Sequence, residues 1–225
     1  MSFAGFDPTT LALLAELPGW DSDRYDAHRH QLKTGVSTPG RELITAVADH
    51  LPAELTVSGR ASVSPLHRDL RFAAAGSPRY KDHLLLTTWH GADKRVGATL
   101  WLRIDASRVG FASGISLDGD HRDRWRAAIG DERGAALTDA IDTIVASTDA
   151  DVAGEQLTRV PRPYPPDHPR ADLLRHKGIQ VRYTAPLPDT VGSAEFGPWC
   201  AERLGRLLPI HRWFVEHIET ETSHG

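Results

Sequence analysis

The sequence predicts an α+β architecture: a single domain over residues 1–225, with a mainly antiparallel or mixed sheet packed against N-terminal and C-terminal helices. Three observations lead there. Apolar residues recur at helical spacing near both ends of the chain. The middle switches to period-two alternation rich in β-branched and aromatic residues. The connections between several alternating segments are too short for parallel crossovers. No Ser/Gly-rich or acidic tract divides the chain and no internal repeat is visible, so one sizeable core is expected.

Asp7-Pro8 supplies a first helix with an N-cap and a first-turn proline, and Leu11, Leu13, Leu14 and Leu17 follow before Pro18-Gly19 ends the run. Asp21 caps a second helix carrying Tyr25, His28 and Leu32. Thr38-Pro39 opens a third, whose Leu43, Ile44, Val47 and Leu51 keep helical spacing up to Pro52. Strands are expected near 61–63, 84–90, 97–104 and 108–115. Leu100, Leu102 and Ile104 alternate with Trp101 and Arg103, which gives that strand two faces, and Asp105-Ala106-Ser107 is short enough for a hairpin. Helices return at 121–129 and 132–147, with Leu137, Ile141, Ile144 and Val145 as the buried stripe of the second. A short strand over 157–160, a proline-rich turn and a helix over 171–176 come next. A last strand through Ile179, Val181 and Tyr183 follows, and then a C-terminal helix over 195–218, bent or broken at Pro209.

Composition excludes several classes of function. A net charge of -4 argues against general nucleic-acid binding, which needs a basic face to displace counterions from phosphates. The single cysteine, Cys200, rules out an internal disulfide and reads as a small core residue rather than a catalytic thiol. No apolar window is long enough to span a bilayer, and the first residues lack a basic segment followed by an apolar run, so no membrane partner and a cytoplasmic location are expected.

The densest polar chemistry lies in His67-Arg68-Asp69-Leu70-Arg71-Phe72 and Tyr80-Lys81-Asp82, just before the most apolar strand. Arginine is this chain's ordinary cation, since lysine occurs only at Lys33, Lys81, Lys94 and Lys177, so an Arg-rich segment by itself is weak evidence of a site. On these residues the chain resembles the bacterial and fungal family known as domain of unknown function 2461, with the signature R-x-x-R-D-x-R-F-x-x-x-[D/N]-K-x-x-Y. Arg68, Asp69, Arg71, Phe72 and Tyr80 fall on that signature, and Lys81 continues it. The stretches Leu157 to Pro161, Asp167-His168-Pro169 and Leu173 to Lys177, with the opening from Phe6 to Leu17, extend the likeness over nearly the whole chain. The chain departs from the signature at Pro65, which replaces its first arginine, and at Gly76-Ser77, which replace its [D/N]-K pair and remove a carboxylate or amide and a lysine. The resemblance implies no particular reaction and no cofactor.

Three readings of the stretch follow. In the first, Arg68, Arg71 and Lys81 converge on a small phosphate- or nucleotide-bearing anion. Asp69 orients a guanidinium bidentately, Tyr80 adds a hydroxyl donor, and Arg159, Arg162 and Lys177 complete the pocket. In the second the protein is an enzyme acting on such an anion, with His67 or Asp69 as acid/base and His83 beside Asp82 as a further imidazole, altered or degenerate where the signature is lost. In the third the Arg-Asp cluster is an ion-pair lattice with Phe72 in the core, and the protein is an interaction module. Breaking one buried pair costs about 3–5 kcal/mol, so maintaining the fold alone accounts for such a cluster. No metal site is expected. His28 and His30 lie two apart on a helix, and no pair of histidines is spaced i, i+4 around a carboxylate. His211 and His217 read as helix-surface residues.

Overall fold

The structure, a computed structural model, describes residues 2–91, 94, 95 and 97–219, with the side chain of Phe72 outside the description. The chain opens with helix α1 (Pro8–Ala12), where the Asp7 carboxylate accepts the Thr9 N–H at 3.0 Å and the Thr10 hydroxyl at 2.7 Å. The predicted helix is shorter than the leucine spacing implies. It tightens into 3-10 turns at Leu13–Ala15 and Leu17–Gly19 as Pro18 approaches. Helix α2 (Ser22–Leu32) is capped by Asp21, which accepts the Arg24 N–H at 2.8 Å. A single π turn, Lys33–Ser37, joins it to α3 (Thr38–Ala48), which ends before the expected Pro52.

Six strands follow: β1 (Leu55–Thr56), β2 (Leu84–His90), β3 (Thr99–Ile104), β4 (Arg108–Ser116), β5 (Asp151–Ala153) and β6 (Gly178–Pro186). They form one antiparallel sheet in the order β1-β2-β3-β4-β6-β5. The β3–β4 hairpin turns on Asp105, whose carboxylate accepts the N–H groups of Ser107 and Arg108 at 2.9 and 2.8 Å. Between β4 and β6 lie α4 (Asp120–Gly130), α5 (Arg133–Ser147), β5 and α6 (Ala171–Leu174). The expected C-terminal helix is two: α7 (Phe196–Gly205) and α8 (Leu208–His217). Pro209 sits in the first turn of α8, where its missing N–H costs nothing.

Two expected strands differ. Val63 makes only an isolated bridge with Leu86, and 157–160 is not a strand, since Leu157 donates to Arg175 and Val160 runs into Pro161. The sheet edge is instead β5, paired with β6 in the register Asp151↔Arg182, Val152↔Val181 and Ala153↔Gln180. Three residues are too few to show a period, which is why alternation did not reveal it.

The chain divides into two interleaved compact units. The first takes its described residues from Met1–Thr88, Trp101–Phe111 and Thr184–Arg203. Its core includes Phe3, Phe6 and Phe196 in mutual ring contact, with Trp199 stacked on Phe196. Gly40 lets α3 lie close to β2, because a Cβ there would stand 2.7 Å from a Leu84 methyl. The second unit takes its described residues from Trp89–Leu100, Ala112–Tyr183 and Leu204–Gly225. It is built on Trp125, fully buried, with ring contacts to Trp213 and Phe214 and an indole N–H donated to the Leu173 carbonyl at 2.9 Å. Arg170 donates to the carbonyls of Ile129 and Asp131, both at 2.7 Å, closing the end of α4. His211, expected on a helix surface, is 3% exposed. Among the described residues no helix is long and apolar enough to cross a membrane.

Candidate functional site

In the first unit, residues 66–68 and 79–81 form a short antiparallel ladder. His67 pairs with Tyr80, the Arg68 N–H donates to the Arg79 carbonyl at 2.9 Å, and the Lys81 N–H donates to the Leu66 carbonyl at 2.8 Å. Side chains alternate across a strand, so this register separates two chemistries. One side carries His67 and Tyr80. Tyr80 is 2% exposed and lies flat on Tyr25 of α2, ring centroids 4.3 Å apart, and His67 stands edge-on to both rings. The other side carries Arg68, Arg79 and Lys81 beside the buried Leu66. Among the described residues none of these three cations makes an ion pair. Lys81 is half-buried, and burial, followed by the neighbouring Arg68 charge, pushes its ammonium below the ordinary lysine range.

The next residues form a second feature. Asp82 accepts from Nδ1 of His83 at 2.6 Å and from the Arg103 guanidinium of β3 at 3.1 and 3.2 Å. Burial works to raise the Asp82 carboxyl, but the His83 hydrogen bond and the Arg103 charge outweigh it and hold the group ionised. An ionised carboxylate only accepts, so Nδ1 bears the imidazole proton and Nε2 the lone pair. Burial holds His83 below the usual histidine range against the pull of Asp82, so the ring is neutral near pH 7. His83 is 15% exposed at its side chain, and among the described residues its ring bonds through Nδ1, to Asp82. Among the described residues no group of three or more His, Cys, Asp or Glu side chains is arranged to hold a metal ion.

A family model described as conserved hypothetical protein (DUF2461) matches residues 20–213. The chain belongs to this family. No curated protein and no solved structure matches it.

The signature-bearing stretch of this DUF2461 protein distributes its residues unevenly. Asp69 holds the Arg71 guanidinium bidentately, at 3.0 and 2.7 Å, and also accepts the Arg71 N–H. The pair is exposed, 80% at the arginine side chain, and the Arg71 hydrogen bonds keep the Asp69 carboxyl below the usual range. A carboxylate so tied is a weaker base than a free one, and a lattice this exposed contributes little to stability. Tyr80 is a packing ring, and His67 is half of its aromatic clamp rather than a partner of Asp69. Arg68 and Lys81 are brought together with Arg79, which sequence reasoning passed over. The ladder register is what reveals it, together with the Arg103 support of Asp82.

Arg159 and Lys177 lie in the second unit. Arg159 is exposed in a loop. Lys177 lines a solvent-open hollow of about 660 Å³ whose rim also holds Arg122 and Arg182. In this unit β6 buries Ile179, Val181 and Tyr183 on one face and turns Gly178, Gln180 and Arg182 to the other, into the hollow. Gly114 of β4 forms part of the floor, since a Cβ there would stand 2.8 Å from the Ile179 carbonyl and 2.9 Å from the Gln180 stem. Arg159 is not part of the lining.

Proposed function

We propose that this protein binds a small phosphate- or carboxylate-bearing anion against Arg68, Arg79 and Lys81. The observation that carries the reading is the set of three cations on one side of a short ladder, with no carboxylate paired to any of them among the described residues. Arg71, the other arginine of the stretch, and Arg103 of β3 each have an acidic partner. Half-burying an ammonium beside a guanidinium is unfavourable, and a bound anion reverses the sign of that interaction. The test is isothermal titration with inorganic phosphate. Wild type binds, Arg68→Gln and Lys81→Met each weaken binding about tenfold or more, and Arg71→Gln leaves it nearly unchanged. Equal binding by wild type and Lys81→Met would refute the reading.

The His83–Asp82 pair supports a second reading, an enzyme in which Nε2 of His83 takes a proton from a group attached to the bound anion. In this reading His83 replaces His67 and Asp69 as acid/base. Turnover of a phosphomonoester panel that His83→Gln abolishes without weakening phosphate binding would support it, and turnover unchanged by that substitution would remove it.

A further inference from the structure

We infer, resting on the anion site at Arg68, Arg79 and Lys81, that its ligand is an oxyanion still carrying a proton, hydrogenphosphate rather than sulfate, and that Nε2 of His83 makes the selection. Three half-buried residues, Lys81, Asp82 and His83, run between two buried anchors, Tyr80 and Leu84. Lys81 and His83 flank Asp82. The Lys81 charge acts on His83 as it does on Arg68, so an anion held by Lys81 comes within the field of the imidazole.

The ring is held in one tautomer. Its Nδ1 donates to Asp82 at 2.6 Å, and Asp82 is fixed in turn by the Arg103 guanidinium of β3, which also lies 3.9 Å from Asp105. With the proton on Nδ1, Nε2 presents a lone pair. Burial first, then the charges of Arg103 and Lys81, oppose a second proton and outweigh the favourable contact with Asp82. Near neutrality the anion site therefore combines three cations with one neutral hydrogen-bond acceptor.

That acceptor distinguishes what the cations do not. Cations attract every oxyanion, whereas a lone pair is repelled by a bare oxygen and satisfied by a P–OH group. Near pH 8 hydrogenphosphate and sulfate share a double negative charge and a tetrahedral outline, and they differ by one hydrogen. A carboxylate lacks that hydrogen too. His83 accommodates sulfate only by taking a proton on Nε2, so sulfate binding draws a proton from solvent and strengthens as pH falls. Hydrogenphosphate brings its own proton and needs no such uptake.

The experiment is isothermal titration of sodium phosphate and of sodium sulfate, near pH 8 and near pH 6, into wild type and His83→Gln. Near pH 8 wild type binds phosphate at least about tenfold more tightly than sulfate, and its sulfate binding strengthens near pH 6. A glutamine amide both donates and accepts, so His83→Gln binds phosphate nearly as wild type does, binds sulfate within about threefold of phosphate, and shows little pH dependence for sulfate. Circular dichroism melts verify folding. If His83→Gln does not fold, NMR of the wild-type His83 ring decides: Nε2 gains a proton when sulfate binds near pH 7 and keeps its lone pair when phosphate binds near pH 8. Equal affinity of wild type for the two anions near pH 8, selectivity retained by folded His83→Gln, or an Nε2 unchanged by sulfate overturns the inference and leaves the anion site standing. Binding of neither anion by wild type overturns the anion site itself, and the selection by His83 with it.

Discussion

His211 gives the sharpest test of how this chain stores pH dependence. Its imidazole is 3% exposed in α8, and neither ring nitrogen has a hydrogen-bond partner among the described residues. Burial first, then the nearby His90 and Arg212, pushes it down to about 4 from an ordinary 6.5. The folded value lies below the unfolded one, so on acidification the unfolded chain takes the proton first. The stability contribution is complete above the unfolded value and is lost as pH falls toward the folded one. The full difference corresponds to about 3 kcal/mol, of which about 2 kcal/mol is already gone near pH 5. Urea unfolding of wild type and His211→Leu near neutrality and near pH 5 measures it. His83 and His176 are also held down by burial, so wild type loses more than this in total, and the variant subtracts their share. The expected result is a pH-induced loss smaller by about 2 kcal/mol in His211→Leu. The variant is also expected to be the more stable protein near neutrality, because two unsatisfied buried nitrogens are gone. An identical pH dependence in the two proteins would refute the reasoning and place a proton partner at the ring.

Other substitutions test the remaining geometry. Asp82→Asn replaces the charged acceptor at Nδ1 of His83 with a neutral amide oxygen, so the His83 imidazole titrates at still lower pH, read from its ring proton shifts by NMR; an upward move would contradict the pairing. Gly154→Ala places a Cβ on a backbone with φ of 142° and into the Gly178 carbonyl. It costs about 2 kcal/mol or more in denaturant unfolding, and a neutral effect would show that the β5–β6 edge is built differently. Trp125→Phe orphans the Leu173 carbonyl and leaves space beside Trp213, a loss of about 2–3 kcal/mol with the melting temperature reduced accordingly.

Local chemistry was enough to read much of this protein directly. Asp7 and Asp21 cap their helices because a carboxylate before the first turn has only one set of orphan N–H groups to satisfy. Leu100, Leu102 and Ile104 are buried because period-two alternation leaves a strand no other way to hide them. The family likeness was carried by Arg68, Asp69, Arg71, Phe72 and Tyr80, and the Asp69–Arg71 pair, being two residues apart, forms without help from the rest of the fold. What separation along the chain conceals had to come from tertiary structure. The pairing of His67 with Tyr80 turned Tyr80 inward and grouped Arg79 with Arg68 and Lys81, and no local pattern encodes a register across twelve intervening residues. Likewise Arg122, Lys177 and Arg182 belong to an α-helix, a turn and a strand, and only chain crossings bring them around one hollow. His211 looked like a surface residue because helical spacing marks a face without saying what covers it. Packing in the second unit covered that face.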